Sequence, residues 1–477
     1  MIPLLTFYGD DFTGSTDALE VLSRAGLSTR LFLSAETLFS PLSLSSSEVQ
    51  SPVSLGLAGV SRSWTPAQME TNFPAIFTAM RKLKSPLFHV KICSTFDSSP
   101  EIGSIGKTIE MASEAFPGEF VPLIVGAPVL NRFVAFGNLF ARSGPESEVF
   151  RLDRHPTMAH HPVTPMPESD LRKHLAQQTH LKVGAVDFTD LEQGEDAIEE
   201  KIRKLVIEGC KIILFDTLNS HHLFEIGRVL WKRADPENPL LVVGSSGVEY
   251  ALCEFWRKQG LLPQPPTFSA LPVERLVVLS GSCSPVAARQ IEKAVENGFA
   301  GVAIDSLALA KGEEKALLDA IAQGIAFLRT GKSVVLHTAK GTTDSRLASQ
   351  EFSRGTGKIL SEIVAETGVG RLVVAGGDTS GYVAQALGIE SLTLVAPFAP
   401  GSPLCRVVTG KPDSIGLEVL FKGGQVGGAN LYAEIRAGTS CLPALRKRFS
   451  WEDDPILPGD SYSGDIAEEV RRQRDEE

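Results

Sequence analysis

The chain has 477 residues, 43% of them hydrophobic, and 46 lysines and arginines against 57 aspartates and glutamates give a formal net charge of −11. That length predicts two or three domains around sizeable cores. The acidic balance argues against nonspecific nucleic-acid binding, which needs a basic face, and no apolar run reaches the length of a membrane span.

In chain order, Leu4 to Tyr8 is a predicted strand, Gly9 to Asp17 its turn, and Ala18 to Ala25 a helix closed by Gly26. The N-terminus enters that strand with no basic leader, so no signal peptide and a cytoplasmic protein are expected. Asp10 and Asp11 in the turn are adjacent carboxylates, costly to bury without a cation or hydroxyl partner. They suit metal binding, proton abstraction or hydrogen bonding to sugar hydroxyls; equally, they suit two surface charges capping a helix. Apolar runs near 29–33, 53–58, 87–92, 121–125, 183–186, 211–215 and 240–243 follow as strands, with helical patterns between most of them, including 66–83 and 195–208. This alternation indicates a mostly parallel sheet. Ser40 to Ser51 reads as a loop. Asp153, His155, His160 and His161 cluster, but intervening prolines and irregular spacing favour a loop over a metal site. Asp216 to His221 and Gly244 to Gly247 follow strands and suit either sugar contacts or helix caps. Gln259 to Pro272, with four prolines, is the best linker candidate.

A second set of elements follows. Strands are expected near 275–279, 300–304, 333–337, 371–375 and 392–396, and helices near 285–297, 308–329, 347–366 and 379–387. Two strand-to-helix turns stand out. Ser280-Gly281-Ser282-Cys283-Ser284 is small and polar, with Ser284 suited to cap a helix opened by Pro285. Gly376-Gly377-Asp378-Thr379-Ser380-Gly381 presents bare backbone N–H groups at a helix N-terminus, where anions bind well. Its hydroxyl and carboxylate residues also suit plain capping. Together the two turns suggest a nucleotide cradle at the carboxyl ends of parallel strands, with Gly341, Thr342 and Thr343 flanking it. There is no G-x-x-x-x-G-K-[ST] and no G-x-G-x-x-G after a strand. Six scattered cysteines without C-x-x-C spacing suggest reduced thiols rather than disulfides or zinc, and Cys283 a small buried thiol. The charged tail after about Trp451 is expected to be mobile.

The three turns, in this order, resemble the four-carbon acid sugar kinase family. Gly9-Asp10-Asp11-Phe12-Thr13-Gly14 stands where its members read A-D-D-x-T-G. Ser280 to Ser284 matches S-G-S-C-S, and Gly376 to Gly381 matches G-G-E-T-S-G with Asp378 for Glu. Lys422-Gly423-Gly424-Gln425-Val426-Gly427 resembles K-S-G-N-F-G, and His161 to Met166 matches H-P-V-T-P-M. The resemblance implies an α/β protein of two domains, each a mostly parallel sheet flanked by helices, with an interdomain active-site cleft: an acid-sugar domain over 1–260 and a nucleotide domain over 273–450. It implies ATP and Mg²⁺ as cofactors, a small acid sugar as partner, no nucleic acid or membrane, and room for a homo-oligomer. Asp11 is the expected base, with Asp10 orienting the sugar and Thr13, Arg62, Lys91, Ser94, Thr95 and His161 as further substrate contacts. Ser280, Ser282, Ser284, Gly376, Gly377, Asp378, Thr379, Ser380, Gly381 and Gly424 are the expected nucleotide contacts, with Asp378 also a metal ligand.

One segment departs from the family. Where members read K-x-D-S-T-x-R-G-N, the chain reads Lys91-Ile92-Cys93-Ser94-Thr95-Phe96-Asp97-Ser98-Ser99. Replacing Arg by Asp97 removes a bidentate carboxylate clamp and reverses its charge. The substrate is then not expected to be held like a simple tetronate; Lys91 or Arg62 would meet its carboxylate, and a branched or oxidised acid sugar such as 3-oxo-isoapionate fits. Two other readings stay open: a metal-dependent sugar-acid lyase or dehydratase built on the Asp pair, and a noncatalytic binding protein for nucleotide or sugar acid. The two separated glycine-rich turns favour the kinase, since a lyase needs no triphosphate cradle.

Overall fold

The computed structural model describes residues 2–39, 53–143, 148–161, 163–282, 284–338 and 350–439, with the side chains of Gln350, Gly377 and Asp378 excepted. The serine-rich loop, Cys283, Gly341 to Thr343, the Asp378 carboxylate and the charged tail lie outside the described residues. Contacts divide the chain into two compact units, one of Met1–Thr29 with Ser47–Pro266, the other of Arg30–Ser46 with Thr267–Glu452 (each also taking in residues not described).

The elements of the first half are β1 (Leu5–Gly9), α1 (Phe12–Ala25), β2 (Ser28–Phe32), β3 (Val53–Ala58), α2 (Pro66–Arg81), β4 (Leu87–Lys91), α3 (Ile105–Ala115) and β5 (Val121–Ile124). Then come β6 (Arg132–Ala135), β7 (Asn138–Arg142), β8 (Val149–Arg151), α4 (Leu171–Leu175), β9 (Val183–Val186), α5 (Phe188–Leu191), α6 (Glu195–Ile207), β10 (Ile212–Phe215), α7 (Ser220–Trp231), β11 (Leu240–Gly244) and α8 (Gly247–Lys258). In the first unit the strand order is β3-β1-β4-β11-β5-β10-β9, and every recorded pairing in it is parallel. Strands covered on both faces read as continuous apolar runs, and β1 is buried along its whole length. α1 packs on α8, α8 on α7, and α2 on α3. Local chemistry sets the helix ends. Thr65 and Gln68 form a capping box at α2, with Pro66 in its first turn. Gly26 closes α1 at φ +110.

A three-stranded antiparallel sheet, β6-β7-β8, was not anticipated from the sequence. Its hairpin is pinned by Asp216, whose carboxylate accepts from the backbone N–H groups of Phe136 (2.5 Å), Gly137 (2.9 Å) and Phe188 (3.2 Å). Asp216 therefore serves as a backbone anchor.

The second half comprises β12 (Val277–Ser280), α9 (Pro285–Glu296), β13 (Ala300–Ala303), α10 (Ser306–Ala310), α11 (Glu314–Arg329), β14 (Val334–His337), α12 (Gln350–Thr367) and β15 (Arg371–Ala375). It ends with α13 (Gly377–Ala386), β16 (Ser391–Ala399), β17 (Ser402–Val408), β18 (Glu418–Lys422) and α14 (Leu431–Ala437). Strands β13-β14-β12-β15-β18 are parallel. The sheet then turns antiparallel through β17 and β16 to Leu31 and Phe32 of β2. The expected helix over 308–329 is two helices, because Gly312 takes φ +75 between them. The core of this unit joins Val278, Val373, Leu404 and Leu420 of the sheet to Ile291 of α9 and Leu431, Tyr432 and Ile435 of α14. Buried Arg371 donates to Glu418 (2.6 and 2.9 Å) and to the Ile435 carbonyl (2.7 Å), fastening β15, β18 and α14 together. Among the described residues no helix is long and apolar enough to cross a membrane.

Candidate active site

In the first unit the Asp pair sits where β1 ends and α1 begins. Asp11 caps α1, accepting from the Gly14 N–H at 2.7 Å. Arg62 reaches both carboxylates: Nε and Nη2 donate to Asp10 at 3.1 and 2.7 Å, and Nη1 and Nη2 donate to Asp11 at 2.8 and 2.9 Å. Bidentate guanidinium–carboxylate pairs are strong and directional, so Arg62 fixes the two acids relative to each other. The side chain of Asp10 is 9% exposed and that of Asp11 23%. Burial lifts Asp10 above the usual carboxylate range, Arg62 pulls it back, and the Asp11 charge lifts it again. The Arg62 guanidinium is held well above its ordinary value by the two aspartates, against the opposing effect of burial.

Behind the pair lies Lys91, at the end of β4 and 2% exposed. Its ammonium stands 3.6 Å from the Asp17 carboxylate and donates to the Ile92 carbonyl at 3.3 Å. Burial alone would lower Lys91; Asp17, Glu249, Asp11 and Asp10 outweigh it and hold the ammonium above the usual lysine range. Asp17 is pushed up by burial and drawn back by Lys91 and the Ser246 hydroxyl. Fully buried His89 contacts Glu249 through Nδ1 at 2.7 Å and the Gly244 carbonyl through Nε2 at 3.1 Å. Since a carbonyl only accepts, Nε2 is the donor in that contact.

The departing segment forms its own cluster. Cys93 Sγ lies 2.9 Å from Thr95 Oγ1, which donates to Asp97 at 2.7 Å. Burial, reinforced by Asp97, pushes the Cys93 thiol up to about 11, so it stays protonated. Phe96 takes φ +59 within this turn. Arg132, on β6, is electrostatically coupled to Cys93 and Asp97, although burial lowers it overall. Its Nη1 donates to the carbonyls of Leu130, Asn131 and Arg142 at 3.1 to 3.2 Å. Its Nε is buried and has no hydrogen-bond partner among the described residues.

Of the other expected substrate contacts, Thr13 lies in the first turn of α1, its carbonyl accepting from Thr16, and Ser94 is half-buried beside Cys93. The ring of His161 accepts from the Thr164 N–H at 3.0 Å, and none of its recorded bonds goes to the Asp pair. His155 accepts from Thr157 and Met158 N–H groups, Asp153 pairs with Arg151, and no three-residue metal-ligand group occurs among the described residues. Ser245 donates to the Val125 carbonyl and accepts from Gly247, so it serves the backbone of its turn. A cavity of about 340 Å³ along β9, lined by residues such as Lys182, Asp187 and Lys201, contains none of these site residues.

In the second unit three turns converge at the carboxyl ends of the adjacent strands β12, β15 and β18. Ser284 caps α9 and donates to the Gly424 carbonyl at 2.6 Å. Ser282 accepts from the Ser284 N–H. The Gly281 N–H donates to the Ala375 carbonyl and the Gly376 N–H to the Lys422 carbonyl. Gln290 of α9 donates to the carbonyls of Val426, Gly427 and Gly428. Gly376, at φ +140, caps α13 in a conformation side-chain-bearing residues rarely adopt. A Cβ on Gly424 would collide with the Ser282 hydroxyl. Ser380 donates to the Gly376 carbonyl at 2.8 Å, Thr379 is 6% exposed, and Gly381 has open space beside it. Small-residue turns are thus gathered at the helix N-terminus of α13, a setting that suits an anion. Sequence motifs did not point to Asp17, His89, Glu249, Arg132 or Gln290.

Comparison with known proteins finds two domain models along the chain, the first of which also spans Arg30–Ser46 of the second unit. Residues 5–252 match the family model of a sugar-binding N-terminal domain, and residues 277–431 that of a nucleotide-binding C-terminal domain. The chain belongs to the four-carbon acid sugar kinase family. A 3-oxo-isoapionate kinase of Paraburkholderia graminis is 39% identical over 454 residues, covering 91% of this chain and 94% of its own. A 3-oxo-tetronate kinase of Cupriavidus necator is 30% identical over 443 residues, covering 91% and 96%. Among solved structures, a Salmonella typhimurium LT2 protein described as a putative tRNA synthase superposes with a TM-score of 0.72 at 25% identity, over 92% of this chain and 99% of its own. A Haemophilus influenzae protein superposes with a TM-score of 0.66 at 24% identity, over 90% and 98%. The kinase relatives span both units, so the chain is an acid sugar kinase, and the lyase and binding-protein readings are not favoured.

Proposed function

We propose that the protein transfers the γ-phosphoryl group of ATP to a hydroxyl of a branched 3-oxo acid sugar, of the 3-oxo-isoapionate type, in the cytoplasm. The observation that carries ATP use is the convergence of three small-residue turns on adjacent parallel strands, cross-linked by the Ser284–Gly424 bond. The similarity to a 3-oxo-isoapionate kinase supports the substrate type, as does Asp97 where the family pattern has arginine.

The first unit supplies the acceptor chemistry. A sugar hydroxyl is a poor nucleophile until a positioned group takes its proton. Asp11, the more exposed of the pair, is that base. Its Oδ1 accepts two donors and its Oδ2 one, which leaves a lone pair among the roughly four a carboxylate offers. Asp10 and Arg62 keep it aimed. The second unit supplies amide donors from the first turn of α13 and hydroxyls from Ser280 and Ser282, with Ser284 bracing the turns through Gly424. Bound Mg²⁺ would neutralise charge on the β and γ oxygens, with Asp378 as the residue to ligate it; magnesium needs few protein ligands.

A coupled ADP-release assay over acid sugars tests the proposal. The expected result is turnover with a branched 3-oxo acid exceeding that with a linear tetronate, abolished by excess EDTA. No ADP release with any acid sugar, or full activity in EDTA, refutes it.

A further inference from the structure

Among the described residues, a buried cation beside the three turns has no partner. Lys422 ends β18, one residue before Gly423, and is fully buried. Its Nζ has no hydrogen-bond partner, and it enters no ion pair within 4.0 Å among the described residues. Strand register fixes where it lies. Ser280, Ala375 and Lys422 are paired across β12, β15 and β18, so the three side chains leave the sheet on one face. Two residues earlier the row is Val278, Val373 and Leu420, all members of one core cluster with Ile291 and Tyr432. Lys422 thus occupies the first layer above that core, directly beneath the glycine turns at the carboxyl ends of the strands. The alanine between it and Ser280 adds no bulk to the row.

An ammonium held in such a layer without a counter-charge is unfavourable. The layer borders the turns at the N-terminus of α13, a setting that suits anions. We propose that Lys422 is a phosphate-binding residue of the nucleotide site, with the bound phosphate as its missing counter-charge. This rests on the nucleotide reading of the turns and adds a group to it. Burial alone lowers Lys422 to about 8. Among the described residues, the titratable groups on the same row and core layer are Tyr432 of α14, whose phenol burial pushes up while Ser280 pulls it down, and His337, in the same register row on the far side of Ser280. Among the described residues, which do not include the Asp378 carboxylate, no carboxylate acts on Lys422, so an arriving phosphate would raise it. Phosphate binding near pH 8 therefore carries proton uptake.

The test is calorimetric titration of the full-length protein with ATP and, separately, adenosine. Wild type is compared with Lys422→Met and Lys422→Arg. The expected result is at least tenfold weaker ATP binding by Lys422→Met, unchanged adenosine binding, and an unfolding temperature without nucleotide that is equal or higher. Lys422→Arg should retain part of the ATP affinity. Wild type at pH 8 should take up a fraction of a proton per ATP, measured in two buffers of different ionisation enthalpy. ATP affinity within twofold of wild type in a folded Lys422→Met protein overturns the proposal. So does an equal loss for ATP and adenosine, which marks a structural role. Absence of proton uptake by wild type also overturns it, without any variant. A wild type that does not bind ATP removes the underlying nucleotide reading instead.

Discussion

Arg62→Met isolates the residue that organises the candidate acid site. In the native structure one guanidinium makes four hydrogen bonds to two carboxylates. Methionine fills much of the volume and removes all four. Asp11 retains the Gly14 N–H, but Asp10, 9% exposed at its side chain, keeps no side-chain partner. Removing one member of a buried pair costs about 3–5 kcal/mol. Because Arg62 is itself 25% exposed, the lower end applies, about 3 kcal/mol, or two powers of ten in the folded fraction. The pH dependence identifies the cause. Burial holds Asp10 above its unfolded value and Arg62 opposes that, so the variant raises Asp10 further. An acid with a raised folded-state value binds more protons folded than unfolded, and stability falls as pH climbs from the unfolded value near 4 through the folded one. The penalty should therefore be full at pH 8 and shrink toward pH 5. The assay is the midpoint of the first urea transition of each protein across that range, with Arg62→Met/Asp10→Asn as the rescue. A penalty below about 1 kcal/mol, or one independent of pH and not rescued, refutes the clamp.

The other predictions address function. Asp11→Asn should lower kcat by about a hundredfold or more with ATP affinity unchanged by calorimetry; near-native turnover would make Asp97 the next candidate for the base. Gly424→Val, whose Cβ would collide with the Ser282 hydroxyl, should weaken ATP binding at least tenfold while acid-sugar binding persists. Arg132→Met should raise KM for the acid sugar about tenfold or more, the scale of a lost charge-assisted hydrogen bond, with KM for ATP unchanged; equal effects on both substrates would point to general disruption of β6.

Most of the parallel strands were legible because a strand buried on both faces is a continuous apolar run: Leu5 to Gly9, Val277 to Ser280 and Arg371 to Ala375 have no exposed residue. β17 and β18 escaped notice for the converse reason. Each carries a charge, Arg406 and Glu418, whose partners are visible only in three dimensions, and the Arg371–Glu418 bonds explain why a carboxylate sits in a buried strand. The strands β6 to β8 are three to five residues long, too short for a periodic signal. At the site, the glycine turns were readable because each is contiguous. The clamp was not, since Arg62 lies 51 and 52 residues from its acids. The His89–Glu249 pair spans 160 residues and is created by β4 lying beside β11.

The charge balance of the first unit bears on how an acid sugar would be oriented there. Arg62 and Lys91 were the cations expected to meet its carboxylate, yet Arg62 already faces Asp10 and Asp11, and Lys91 faces Asp17. A further carboxylate 4 Å from an aspartate would be repelled by about 4 kcal/mol at an effective dielectric constant near 20. On the proposed function, the hydroxyl end of the substrate would meet the Asp pair and its acid end would lie away from it. Arg132 offers a guanidinium bonded through Nη1 to backbone carbonyls only and without a carboxylate ion pair among the described residues. Asp97, electrostatically coupled to it, is an acceptor where the family pattern has a donor. On the proposed function, Asp97 would accept from a hydroxyl that a branched sugar acid has and a linear tetronate lacks, while the same repulsion would keep the acid end itself off Asp97. Asp97→Asn, which keeps the shape and removes the charge, should then cost the branched substrate more in kcat/KM than the linear one. An equal loss for both would show that Asp97 serves only to fasten Thr95.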